Sequence, residues 1–128
     1  LSDGECQEGQ TWEAIMTMSF YCLDKIKIIV DANGQQVDGR TDDVMALGNL
    51  AAKFEAFGAK TTTVDGHDLK ALHQACVQSH RDQPLVVIAN TEPFRGITLL
   101  KDRYPHLHYV RFKNEEERKL YANELDNM

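Results

Sequence analysis

Two short stretches of this sequence place oxygen donors beside glycines. Asp3-Gly4 lies near the start, and Asp31-Ala32-Asn33-Gly34-Gln35 follows after an intervening helical pattern. A divalent cation holding a diphosphate needs hard oxygen ligands in a small cage. Asp3 offers a carboxylate, Asn33 a side-chain carbonyl oxygen, and a peptide carbonyl just after Asn33 a third donor. Gly4 has no Cβ, so its backbone can approach a phosphate closely. A helix starting near Glu8 directs the positive end of its dipole toward the same anion. Taken singly these are weak signals, because Asp-Gly and Asn-Gly are ordinary turn dipeptides. They become a site only if the fold brings them together.

The surrounding pattern supplies elements that can do so. Apolar residues Trp12, Ile15, Met16, Phe20 and Leu23 recur at helical steps, predicting a helix from Glu8 to Leu23 with one apolar face. Lys25 to Asp31 is short and β-branched, and reads as a buried strand. Asn33-Gly34 and Asp38-Gly39 mark turns. Thr41-Asp42-Asp43 opens a helical stretch with a helix at Ala46 to Phe57, closed by Gly58. Lys60 to Val64 is the next strand. Leu69 to Ser79 is the next helix, with Leu69, Leu72, Ala75 and Cys76 turned inward, and Pro84 to Ala89 is the third strand. Beyond it, Asn90 to Tyr104 reads as irregular, Leu107 to Phe112 as a short extended piece and Asn114 to Leu125 as a terminal helix.

Strand and helix alternate, and the strands are continuous apolar runs. That predicts an α/β fold, a parallel sheet flanked by helices. Ligands in such sheets bind outside the carboxyl ends of the strands, where both candidate stretches fall. Ser2-Asp3-Gly4 itself reads as a strand end with almost no strand before it, as if the sequence starts partway through a domain.

Composition narrows the partners. The chain has 128 residues, of which 42% are hydrophobic and 27% charged, and carries a net charge of −6. With no basic cluster, it offers nothing for nucleic acid. Its longest apolar runs fall far short of the ~20 residues of a membrane span, and Leu1-Ser2-Asp3-Gly4-Glu5 is not a signal peptide. Cys6, Cys22 and Cys76 are odd in number and lack a C-x-x-C spacing, which fits reduced thiols in a cytoplasmic protein. Cys22 and Cys76 fall in helical patterns and are expected to fill the core.

Longer strings carry a resemblance. S-D-G-E-C-Q-E-G-Q-T-W-E-A at Ser2 to Ala14 is similar to the G-D-G-E-x-Q-E-G-Q-x-W-E-A of transketolases. V-D-A-N-G-Q-Q-V-D-G at Val30 to Gly39 resembles that family's V-D-x-N-G-x-Q-x-D-G, and V-D-G-H-D at Val64 to Asp68 is another of its strings. The sequence is identified as a member of the transketolase family, most like the bacterial two-subunit forms. It reads throughout as the C-terminal portion of the thiamine-diphosphate-binding domain.

The resemblance implies a set of roles. Asp3 and Asn33 would ligate magnesium (or calcium or manganese) through side-chain oxygens, and Gln35 through its main-chain carbonyl. Gly4, with Asp3 and Asn33, would hold the diphosphate of thiamine diphosphate. Glu8 and Glu13 match glutamates at a dimer interface that couple two active sites. Acidic residues in a first helical turn are also commonly just solvated. His67 reads as a cap or turn residue, and His73 and His80 as exposed helical positions. His106 and His108 stand in Y-P-H-L-H, and His108 better matches a family histidine in the substrate channel. Such a histidine binds substrate hydroxyls or moves protons near neutral pH.

The implied reaction is transfer of a two-carbon ketol unit between sugar phosphates. A C-terminal subunit or pyrimidine-binding domain would supply the glutamate that activates the coenzyme, within a homo-oligomer or a dimer of heterodimers. The family's earlier half-domain, with its Gly-rich segment and histidines, has no counterpart here, so the chain alone is expected to be inactive. Ser2 replaces the first Gly of the motif. Asn90 to Gly96 departs from the usual lysine- and glycine-rich T-V-K-G-K-G, which bears on substrate handling, and two alternatives stand beside the leading reading. One is a relative with another donor or acceptor, such as a deoxyxylulose-phosphate synthase or an acyl-carrier-linked enzyme. The other is an inactive fragment that only binds a partner.

Overall fold

A computed structural model describes residues 1–127. Its centre is a three-stranded parallel sheet of β1 (Lys27–Ala32), β4 (Lys60–Asp65) and β5 (Leu85–Asn90), in the order β1-β5-β4. β5 is central and paired on both sides, from Leu85 to Asn90. Its side chains alternate between faces, as in any strand, and both faces are covered. Val86 and Ile88 enter one core with Ile15, Val30, Leu47 and Phe54; Leu85 and Val87 enter a second with Ala75. This confirms the expected parallel sheet flanked by helices.

The crossover from β1 to β4 runs over the first face through α2 (Thr41–Met45) and α3 (Leu50–Ala56). The return to β5 runs over the second face through α4 (Leu69–Val77). α1 (Gly9–Phe20) also packs on the first face, where Trp12 meets Phe54 with ring centroids 5.0 Å apart. A two-stranded hairpin, β2 (Gln35–Gln36) and β3 (Gly39–Arg40), leaves the end of β1, and α5 (Glu115–Asp126) closes the described chain.

Leu1 to Asp3 do run as a strand end beside β1. Ser2 and Asp31 form a parallel bridge, the Asp31 amide donates to the Leu1 carbonyl at 2.8 Å, and the Asp3 amide donates to the Asp31 carbonyl at 3.1 Å.

Several local expectations are corrected. α1 stops at Phe20 rather than Leu23, because Cys22 turns left-handed at φ 51°. The Cys22 amide donates to Ser19 and the Leu23 amide to Met18, the hydrogen-bond pattern that closes a helix C-terminus. Cys22 is therefore exposed at a cap and is no core filler. Met16, Phe20 and Leu23 are exposed too, since the sheet covers only the Thr11–Ile15 side of a wider apolar arc.

The expected Ala46–Phe57 helix is broken. Residues 46 to 49 leave the helix so that Leu47 can enter the core, Gly48 turns at φ +60°, and Asn49 caps α3 by accepting from the Ala52 amide. Leu69 is exposed at the first turn of α4, beyond the reach of the sheet, while Ala75 is buried as expected. His80 lies past the end of α4 rather than on it. Leu107 to Phe112 form no strand, and the segment before them makes a 3-10 turn at Thr98–Arg103. Among the described residues, no helix is long and apolar enough to cross a membrane.

Candidate functional site

Asp3 is the buried hub of the site. The bridge to β1 fixes its backbone, and only 6% of its surface is exposed. Its Oδ1 accepts from the Gly4 amide at 2.9 Å. Its Oδ2 accepts from the Gly34 amide at 2.8 Å and from the Thr41 hydroxyl at 3.1 Å. Burial pushes the Asp3 carboxyl above the usual carboxylate range; the three donors pull it back and nearby Asp31 adds to the rise. A cation beside Asp3 would reverse that shift.

Asn33 stands next to it. Its Oδ1 accepts from the Gln35 amide at 3.0 Å and its Nδ2 donates to Asp31 Oδ2 at 2.9 Å. Asp31 Oδ1 in turn accepts from the Thr91 hydroxyl at the end of β5. Asp3 and Asn33 thus bind consecutive amides, those of Gly34 and Gln35, which brings two oxygen donors separated by 30 positions onto one loop.

Gly4 is required by space. A Cβ there would lie 2.9 Å from Gln36 Cβ, so any side chain would force the hairpin away. Beside Gly4 opens a cleft of about 380 Å³, lined by Gly4, Glu8, Asn33, Gln35 and His108 among others. The structure therefore unites five of the seven candidate residues in one cleft. Asp3 lies just behind it, on a neighbouring cavity of about 370 Å³. Glu13 is exposed on α1 outside the cleft, and Glu8 sits at the helix's first cap without capping it. His106 is placed elsewhere, toward Gly39. His67 braces a turn as expected: its Nε2 accepts from the Glu92 amide at 2.7 Å.

The donor set fits a hard cation. A carboxylate offers about four acceptor positions and an amide oxygen two. Asp3 uses three of its positions and Asn33 one. The Gln35 side-chain oxygen is also buried and unpartnered beside them, a donor the sequence did not single out. Among the described residues, no three His, Cys, Asp or Glu side chains gather to hold a metal. Any cation here must therefore take amide or peptide oxygens as well, which favours a hard ion.

Sequence reasoning missed Thr41 and Tyr104 and did not assign Asp31 a role. Asp31 lies inside the V-D-A-N-G string, so a signal existed. Thr41 read only as a helix start. Tyr104 lies 70 positions from Gly34, whose carbonyl its hydroxyl reaches at 3.2 Å, and no local pattern could find it.

The fold is an α/β parallel sheet with oxygen-bearing side chains gathered at its strand ends, the edge where ligands of such sheets bind. The sequence profile described as transketolase, thiamine diphosphate binding domain, matches residues 1–101. A transketolase family protein of Sinorhizobium fredii is 40% identical over 119 residues, 91% of this chain and 42% of that protein. An apulose-4-phosphate transketolase subunit from Actinobacillus succinogenes is 36% identical over 115 residues, 89% of this chain and 41% of that protein. The crystal structure of transketolase from Campylobacter jejuni superposes with a TM-score of 0.67 at 31% identity, covering 77% of this chain and 16% of that one. The chain belongs to the transketolase thiamine-diphosphate-binding domain family, and it spans about two fifths of the length of the first two relatives.

Proposed function

We propose that this chain is the metal- and diphosphate-binding part of a transketolase-type transferase that moves a two-carbon ketol unit between sugar phosphates. The observation that carries this reading is the convergence of Asp3 and Asn33 on the Gly34 and Gln35 amides, beside the Gly4 cleft. Asp3, Asn33 and the Gln35 carbonyl would hold Mg²⁺, or Ca²⁺ or Mn²⁺. Gly4 and the N-terminal end of α1 would face the diphosphate. Glu5 and Glu8 also line the cleft, so the cation is needed to offset their charge before an anion can enter.

Thiamine diphosphate, when bound, supplies the nucleophilic carbon and electron sink that cleavage and re-formation of a C–C bond require. This chain's residues anchor and orient it. His108 lines the cleft and would bind substrate hydroxyls or carry a proton. Glu8 and Glu13, exposed on one end of α1, would meet a second copy in a cytoplasmic dimer. A C-terminal subunit or pyrimidine-binding domain would complete the catalyst, in keeping with a relative that is itself named as one subunit of a transketolase.

The test is calorimetric titration with thiamine diphosphate and Mg²⁺, with and without a complementing partner polypeptide, repeated with Asp3→Ala. Binding that needs the partner and is lost in the variant is expected. Tight binding by the chain alone would overturn the need for a partner. Binding that survives Asp3→Ala would overturn the ligand assignment.

A further inference from the structure

Asn33-Gly34 is a sequence that favours a mobile turn, and Gly34 adopts φ +72°. Yet the loop it forms carries two of the proposed oxygen ligands. Outer groups that orient ligands matter nearly as much as the ligands themselves. From one side Asp3 takes the Gly34 N–H, and the Thr41 N–H donates to the Gly34 carbonyl at 3.1 Å. From the other side comes Tyr104. Its hydroxyl donates to the same carbonyl, and a Cβ on Gly34 would lie 2.9 Å from the hydroxyl oxygen.

The ring that carries this hydroxyl is itself held. Phe94 meets it edge-on with centroids 5.6 Å apart, and the Arg40 guanidinium lies 5.8 Å from its centroid. Arg40 is the β3 partner of Gln35. Tyr104 therefore touches the loop at its carbonyl and the hairpin behind it at Arg40. Tyr104 also lies beyond residues 1–101, the part matched by the family profile.

We infer that Tyr104 is a positioning residue whose hydroxyl latches the Gly34 carbonyl and so fixes the Asn33 and Gln35 oxygens for a divalent cation. The consequence for metal rests on the proposed function; the latch is a property of the fold. A mobile loop would have to be ordered on each binding event, and that entropy would weaken affinity. The latch orders it beforehand.

Tyr104→Phe removes only the hydroxyl and keeps the ring, and two measurements read it. The first is amide hydrogen exchange in the metal-free full chain. Exchange at Gly34 and Gln35 is expected to rise about fivefold, the scale of one ordinary hydrogen bond, with Val86 to Ile88 unchanged. Unchanged exchange at Gly34 and Gln35, or equal acceleration throughout the core, would overturn the latch. The second is Mn²⁺ affinity by electron paramagnetic resonance, with thiamine diphosphate and the partner polypeptide present. Tyr104→Phe is expected to weaken Mn²⁺ about fivefold and Asp3→Ala to abolish binding. If Asp3→Ala abolishes binding while Tyr104→Phe matches wild type, the latch has no part in metal positioning and the inference fails. If wild type binds no Mn²⁺, or Asp3→Ala has no effect, the metal reading fails instead. The exchange data then decide the latch.

Discussion

Asp31 fixes the orientation of Asn33. The Asn33 side-chain N–H donates to Asp31 Oδ2, which leaves the Asn33 oxygen facing the Gln35 amide. Without that partner, only the Gln35 N–H would hold the amide in this orientation. Asp31→Ala is expected to weaken Mg²⁺-dependent cofactor binding about 10-fold or more, because it removes an orienting group rather than a ligand. Calorimetry with the partner polypeptide present measures this. An affinity equal to wild type would show that Asn33 orients itself.

Thr41 holds the Asp3 carboxylate in place. Its buried hydroxyl donates to a charged carboxylate, a kind of bond worth about 1.5–3 kcal/mol. Thr41→Val keeps the shape and removes the donor. A stability loss of about 1–3 kcal/mol is expected by urea denaturation, and Thr41→Ser should recover most of it.

Cys22 occupies the left-handed position at the end of α1, where glycine is ordinarily preferred. Cys22→Gly should stabilise the fold by about 0.5–1 kcal/mol, since the left-handed penalty exceeds glycine's entropy cost there. A rise of a few degrees in Tm reads it. A fall would mean that the cap does not form in solution.

Two of the three thiols, Cys22 and Cys6, should react in a fixed order. Cys22 is exposed, whereas Cys6 is fully buried and burial pushes its thiol up to about 11. Only the thiolate is nucleophilic. Native alkylation with iodoacetamide, read by mass spectrometry, should label Cys22 first and Cys6 only after unfolding. Labelling of Cys6 at the native rate of Cys22 would contradict its placement.

The docking of α5 should depend on pH. Glu117 lies below its ordinary range, held down by the Lys113 amide first and by Arg103 second. A carboxylate depressed in the fold contributes stability above its unfolded pKa, and that contribution is lost as pH falls through the folded value. Protection of α5 amides should therefore be full near neutral pH and decline below about pH 4.3, the ordinary glutamate value. Glu117→Gln should flatten that dependence.

How much of this was legible beforehand differs by kind of feature. The strands Lys27–Ala32, Lys60–Asp65 and Leu85–Asn90 stand close to where the sequence put them. Central β5 is apolar and buried almost throughout, as a strand covered on both faces must be, while the two edge strands are partly exposed and carry the β-branched Ile, Val and Thr that suit a pleated sheet. The oxygen-bearing residues were legible as types. Carboxylate, amide and glycine chemistry is local to Asp3, Gly4 and Asn33, and the longer strings around them identified the family.

What the sequence could not decide is which apolar faces find cover. Met16, Phe20 and Leu69 have the spacing of core residues, but the sheet does not extend under them. Nor could it decide what holds the loop. The Gly34 N–H meets Asp3 from 31 positions away, and the Gly34 carbonyl meets Tyr104 from 70 positions away. The sequence alone thus determined the chemistry available and the strands that carry it. The tertiary structure alone decided how those groups are held, because the hydrogen bonds that orient them close through space and leave no periodicity along the chain.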